Sequence, residues 1–128
     1  MIVVSAATGQ FGRLATDRLL EKVPATDVAL AVRDVDKAQE AADRGVDVRH
    51  GDYNQPDSLR AAFEGADRLL FISSSSRDST ERMRQHGNVI EAARGAGVGL
   101  VAYTSALGAN FTAQGALADH NATERALR

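Results

Sequence analysis

Short apolar runs alternate with longer amphipathic stretches along the whole chain. The runs have the length of strands and carry few charges, whereas the stretches between them show helical periodicity. Five strands are predicted, at residues 2–4, 28–32, 46–49, 68–72 and 99–103. Helices are predicted after each of them, at residues 10–22, 34–45, 57–65, 80–96 and 116–128.

The order of these elements indicates an α/β fold. Strands and helices alternate strictly with short connections, which predicts right-handed crossovers. The expected architecture is a doubly wound parallel sheet of the Rossmann type, with about five strands and helices on both faces. Apolar and charged residues alternate at 46–49, so this strand is expected near the edge of the sheet. The length of 128 residues fits one domain, residues 1–128.

Residue types also mark the ends of the predicted helices. Asp34 and Asp57 are placed to cap the N-termini of the second and third helices. Gly45, Gly65 and Gly97 stand just after the last periodic position of three helices, where a left-handed residue commonly ends a helix.

Small, turn-forming residues join the first strand to the first helix. Gly9 would let a phosphate approach the backbone, and Gly12 would let the helix pack closely on the strand. Free amides and the positive end of the helix dipole would then favour a pyrophosphate. Ala6 stands where such turns usually carry their first glycine, and it costs on the order of 1 kcal/mol if that position requires a positive φ. The turn alone leaves a dinucleotide site and a plain strand-to-helix turn both open.

The second strand ends in a cation that bears on the choice of dinucleotide. Arg33 lies about twenty residues beyond the turn, where a dinucleotide site contacts the adenosine ribose. An arginine there offers a planar cation to a 2′-phosphate, and Lys37 adds positive charge, so NADP is predicted. Asp34 follows immediately and keeps NAD open. The alternative is a solvated Arg33 with Asp34 acting only as a helix cap.

Polar residues follow the third and fourth strands as well. Asp52 is a candidate acceptor for the adenine amino group, with Tyr53 flanking the ring; the alternative is an ordinary polar turn. The serine run at residues 73–76 offers hydroxyls and backbone donors to the ribose and phosphates, or is simply a loop. Because the ends of parallel strands meet at one edge of the sheet, these groups together favour a ligand site.

Composition and charge exclude several other functions. The net charge of −2 provides no basic excess for a nucleic acid. The absence of cysteine excludes disulfides and thiolate metal sites and fits a cytoplasmic protein. The apolar start is too short for a membrane span and lacks the basic segment of a signal peptide. No metal is expected, since the three histidines do not have ligand spacing.

The last helix lacks the tyrosine and lysine, four residues apart, that often donate the proton in alcohol-forming reductases. His120 and Glu124 occupy that spacing instead. They are interpreted as a surface contact between neighbours on one helix face. No catalytic residue is predicted.

Several sequence blocks resemble the NmrA-like, atypical short-chain dehydrogenase/reductases, and within them the bacterial NADPH-dependent quinone oxidoreductases. The blocks are VVSAATGQFG, LAVRD, GDYNQPDSL, LLFISSS, QHGNVIEAARGAGV, YTSAL and a final H-x-x-x-E. The resemblance implies NADPH as cofactor, with Arg33 on the 2′-phosphate, Asp52 and Tyr53 beside adenine, and Ser73, Ser74 and Ser75 beside the nicotinamide-side ribose. It implies that the turn holds the pyrophosphate through Thr8, Gly9, Gln10, Phe11 and Gly12. Ala6, which replaces the family's first glycine, is also predicted to be a cofactor-binding residue.

The resemblance also implies an activity, hydride transfer from NADPH to a small-molecule, quinone-like acceptor. Family members are about twice as long, and their quinone site is built largely by the second half. The expectation is therefore a cofactor-binding domain without the substrate-binding C-terminal part, completed by a partner or by a second copy of the chain. The alternative is a non-catalytic NAD(P)-binding sensor, as some NmrA-like proteins are.

Overall fold

The predicted strands form one parallel sheet in a computed structural model that describes residues 1–106, 109 and 115–128. The spatial order is β3-β2-β1-β4-β5, so the order reverses on either side of β1, which pairs Ile2 with Val28 on one side and with Arg68 on the other. The third strand lies at an edge, as predicted. The strands are β1 (Ile2–Ser5), β2 (Val28–Val32), β3 (Asp47–His50), β4 (Arg68–Phe71) and β5 (Leu100–Tyr103).

In the described ranges, five α-helices cover both faces of the sheet, because neighbouring residues of each buried strand point to opposite sides. Val3 packs in one core with residues of the third, fourth and fifth helices. Val4 packs in a second core with residues of the first two. The helices are α1 (Gln10–Leu20), α2 (Gln39–Asp43), α3 (Pro56–Ala62), α4 (Ser79–Gly95) and α5 (Gly115–Leu127). The predicted doubly wound α/β fold is confirmed.

Two predicted helix starts have different outcomes. Asp34 is a cap, since its carboxylate accepts a hydrogen bond from the Asp36 amide at 3.0 Å. It opens a 3₁₀ turn, Val35–Ala38, which leads into the short α2 in place of one continuous helix. The assignment of Asp57 as a cap is wrong: α3 begins at Pro56, with Gln55 at the N-cap. Proline suits the first helical position because its missing N–H would have no partner there.

Neither a metal cluster nor a membrane span is found in the described part of the chain. No group of three or more His, Asp or Glu side chains among those residues is placed to hold an ion. The helices described are too short or too polar to cross a bilayer.

Ala6 has a positive φ of 49°, which makes it the one described non-glycine residue in the left-handed region. The position that usually carries the first glycine therefore does require this conformation, and alanine is strained there.

The variant Ala6→Gly should raise the free energy of unfolding by about 1 kcal/mol, because glycine adopts this conformation without a Cβ penalty. The control is Ala7→Gly, which removes a buried methyl from a residue with an ordinary φ and should destabilise the protein. Chemical denaturation measures both, and equal changes in the two variants would contradict the assignment of strain to Ala6.

Candidate functional site

A cavity of about 480 Å³ opens at the carboxyl ends of the strands. It lies where the strand order reverses between β1 and β4, the usual ligand position in doubly wound sheets. Its volume lies in the range of sites for small molecules. The structure brings all the predicted binding residues to its lining: Ala6, Thr8, Gly9, Gln10, Phe11, Gly12, Arg33, Asp52, Tyr53, Ser73, Ser74 and Ser75.

The turn between β1 and α1 directs the N-terminus of α1 into this cavity. Gly9 is the N-cap and no side chain among the described residues caps the helix, so its first amides are open to a ligand. A Cβ on Gly12 would lie only 2.6 Å from Ala7 Cα, so the helix approaches the turn more closely than any other residue would permit. Arg13 Nε donates to the Thr8 carbonyl oxygen at 2.9 Å and fixes the turn from outside. This arrangement suits an anion such as a pyrophosphate.

The floor of the cavity is held by two buried hydroxyls between β1 and β4. Ser5 Oγ accepts a hydrogen bond from the Ile72 amide at 3.2 Å and lies 2.6 Å from the Tyr53 hydroxyl oxygen. The Tyr53 hydroxyl donates to the Ile72 carbonyl oxygen at 2.5 Å. Burial raises the pKa of Tyr53 well above its usual value, so this hydroxyl stays protonated. The hydroxyl of Tyr53 therefore serves the floor, and only its ring is left for contact with a ligand.

The groups at the ends of β2 and β3 differ in how freely they can meet a ligand. Arg33 is exposed at the cavity, and no carboxylate among the described residues forms an ion pair with it. Lys37 lines a smaller, separate groove, so the structure does not place it beside Arg33 in the cavity. One Asp52 oxygen accepts from the Asn54 amide at 2.8 Å, which orients the carboxylate in its turn.

Four of the described lining residues are missing from the sequence-based set. Gln85 is nearly buried on α4; its Oε1 accepts from Ser74 Oγ, and its Nε2 donates to Asn54 Oδ1 at 3.3 Å. A signal for it exists in the sequence, because position 85 lies one helical turn before Val89 and extends the buried stripe of α4. The missed residues are Gly51, Ile72, Glu81 and Gln85; Ser76, the last residue of the predicted serine run, also lines the cavity.

The interpretation of His120 and Glu124 as a contact with each other is wrong. His120 Nδ1 lies 2.5 Å from the Tyr103 hydroxyl oxygen, and Ser105 Oγ donates to Glu124 Oε1 at 2.5 Å. Burial lowers the pKa of His120. These two hydrogen bonds connect the end of β5 to α5, so this polar face of the helix is not free.

A parallel sheet with a glycine turn, an open helix N-terminus and an arginine at successive strand ends defines a nucleotide-binding domain of the Rossmann type. The chain belongs to the NAD(P)H-binding family, whose model matches residues 6–128. This match confirms the prediction of a nicotinamide dinucleotide as cofactor.

Individual reductases within this family are similar to the chain in both sequence and structure. Triphenylmethane reductase of Citrobacter sp., solved with NADP(H), is 50% identical with a TM-score of 0.96 over 100% of this chain and 45% of that chain. Quinone oxidoreductase 2 of Escherichia coli (strain K12) is 42% identical over 99% of this chain and 44% of that protein. The solved structure of the NADPH-dependent quinone oxidoreductase of Escherichia coli with NADPH has a TM-score of 0.92.

An NmrA-like family domain-containing oxidoreductase of Aspergillus flavus is 36% identical over 80% of this chain and 34% of that protein. These similarities confirm the resemblance to NmrA-like oxidoreductases and to bacterial quinone oxidoreductases. The chain spans less than half the length of these relatives.

Replacing each of the two glycines of the turn by alanine should have a different effect, one on stability and the other on cofactor binding. Gly12→Ala should lower the free energy of unfolding by about 1–3 kcal/mol or more, because its Cβ would meet backbone that cannot move aside. Gly9→Ala should keep the parent's free energy of unfolding, since its Cβ would lie 3.6 Å from the nearest atom, the Ala6 carbonyl oxygen. Its methyl would still occupy the cavity wall and weaken cofactor binding by about tenfold. Denaturation and calorimetric titration separate the two effects, and a Gly12→Ala variant as stable as the parent would contradict the packing argument.

Proposed function

We propose that this chain binds NADPH and forms the cofactor domain of an oxidoreductase that reduces a quinone-like acceptor. The observation that carries the proposal is the cavity at the strand-order reversal, into which both the N-terminus of α1 and Arg33 open. An open helix N-terminus and an arginine are suited to the two kinds of phosphate that NADPH carries.

The lining supports one orientation of the dinucleotide. The open amides that follow Gly9, in the middle of the cavity, would hold the pyrophosphate. At the ends of β2 and β3, Arg33 would hold the 2′-phosphate, and Asp52 and the Tyr53 ring would flank adenine. At the end of β4, Ser73, Ser74 and Ser75 would hold the nicotinamide half.

Bound NADPH supplies a hydride and so carries the chemistry itself. The residues of this chain hold and orient the dinucleotide in that scheme. The single phenol among the described lining residues, Tyr53, donates to the Ile72 carbonyl oxygen and is thereby unavailable as a proton donor. A quinone suits such a site, because its reduced oxygen is a stabilised phenolate that takes its proton from water.

The acceptor class rests on the relatives. Their names indicate reduction of a quinone and of a triphenylmethane compound, which are both conjugated acceptors. Because the chain spans less than half of each, we assign the acceptor-binding surface to further polypeptide, a partner or a second copy. It covers the side of the cavity that Ser73, Ser74 and Ser75 line.

Oxidation of NADPH by menadione, followed at 340 nm, tests turnover. If the chain together with the partner or second copy binds NADPH but does not oxidise it, the result would favour a dinucleotide sensor.

Arg33→Gln should weaken NADPH binding by about 10–100-fold and leave NADH binding within about threefold, because only NADPH carries the 2′-phosphate. The control Arg18→Gln removes the same charge from an exposed position at the far end of α1 and should change neither affinity. Calorimetric titration with both cofactors measures the ratio. Equal losses for NADPH and NADH would overturn the choice of NADP.

A further inference from the structure

Three side chains of α4 hold the loop after β4, residues 73–76, here named the serine loop. Arg82 Nη1 donates to the Ser76 carbonyl oxygen at 2.6 Å, and His86 Nε2 accepts from the Ser74 amide at 2.9 Å. Gln85 adds the hydrogen bond to Ser74 Oγ. The serine loop lines the cavity, so its backbone shape is set from α4.

Two of these three side chains are in turn held by α5. Asp119 accepts from Arg82 Nε at 3.0 Å, and Thr123 Oγ1 lies 2.8 Å from His86 Nδ1. Arg82 and His86 are one helical turn apart on α4, as Asp119 and Thr123 are on α5, so the pairs match along the contact. All four are buried, with His86 and Thr123 at 0% exposure.

The hydrogen bonds of His86 allow only one tautomer. The Ser74 amide can only donate, so Nε2 must be the unprotonated acceptor. Nδ1 therefore carries the proton and donates to Thr123 Oγ1, whose hydroxyl donates to the Asp119 carbonyl oxygen at 2.8 Å. Burial lowers the pKa of His86 to about 4, so the ring is neutral near pH 7. The Thr123 hydroxyl thus accepts the Nδ1 proton, and this pairing supports the tautomer whose Nε2 accepts from the serine loop.

We propose that Asp119 and Thr123 on α5 are positioning residues for the nicotinamide half of the cofactor. They act through Arg82 and His86 to hold the serine loop in the shape that receives this half. The inference rests on the proposed function, since it requires NADPH across the strand-order reversal. Neither α5 residue lines the cavity.

In the described part of the chain, Arg82, His86, Asp119 and Thr123 bond only to the serine-loop side of the cavity, and this predicts a selective effect. Gln85 also bonds to Asn54 beside Asp52, but it is not one of the two side chains that α5 holds. Arg33 and Asp52, on the adenosine side, have no hydrogen bond to Arg82, His86, Asp119 or Thr123 within the described residues. The ligand 2′,5′-ADP carries the adenosine half and its 2′-phosphate without the nicotinamide half. Loosening the serine loop should therefore weaken the binding of NADPH and leave the binding of 2′,5′-ADP unchanged.

The test compares Thr123→Val with Thr123→Ser in the full chain. Valine removes the hydroxyl at similar volume, whereas serine retains it. Calorimetric titration should show that the valine variant binds NADPH about tenfold more weakly than the parent and binds 2′,5′-ADP within about twofold of the parent. The serine variant should bind both ligands with near-parent affinity. Equal weakening of the two ligands, or parent-like NADPH binding by the valine variant, would overturn the proposal.

Two further measurements keep the result decisive. Nitrogen-15 spectra of the parent protein should show the Nδ1–H tautomer of His86, and an Nε2–H tautomer would overturn the proposal. If Thr123→Val does not fold, Asp119→Asn replaces it, with Glu124→Gln as the control because Glu124 lies on the same helix and bonds to Ser105 instead. Asp119→Asn should weaken NADPH selectively, and Glu124→Gln should not.

Binding measurements on the parent protein distinguish failure of the proposed function from failure of the role assigned to α5. Binding of neither NADPH nor 2′,5′-ADP to the parent would overturn the proposed function and this inference with it. Binding of both ligands to the parent, with variants that affect them equally, would overturn only the role of α5.

Discussion

The close approach of α1 to the turn after β1 is the constraint on which the site depends. Gly12 has no side chain between the helix and Ala7, and Ala6 accepts a strained left-handed conformation in the same turn. Together they bring the uncapped start of α1 to the point where the strand order reverses. A phosphate-binding helix terminus thus follows from tight packing of small residues, and the strain is located at the site itself.

Buried polar groups shape the rest of the cavity, and each is paired. No buried side-chain nitrogen or oxygen among the described residues lacks a hydrogen-bond partner. Ser5 and Tyr53 hold the floor where β1 and β4 part, and the contact between α4 and α5 holds the serine loop. An unpaired group in such surroundings would cost about 1–3 kcal/mol, so these networks specify one loop conformation more strictly than apolar packing would.

The fold and most of the site could be predicted because both follow from local rules. Apolar runs mark the strands, and strand ends in a parallel sheet converge, so Arg33, Asp52 and Ser73 could be placed together without coordinates. The contributions of α4 were missed because strand ends alone do not show which helical residues turn toward the cavity. His120 was misinterpreted for a related reason, since its partner is Tyr103 on β5 and not a neighbour on its own helix. The cap assignment of Asp57 failed for a local reason, because Pro56 takes the first helical position and moves the N-cap to Gln55.

Chemical-shift mapping of the chain with NADPH tests the central claim most directly. Nitrogen-15 amide spectra should show saturable shifts in three groups that are distant in sequence: the turn at residues 8–12, Arg33, and the serine loop. This pattern would locate the dinucleotide across the strand-order reversal. Saturable shifts confined to the separate groove that Lys37 and Arg44 line, or no shifts in the three groups, would contradict the account.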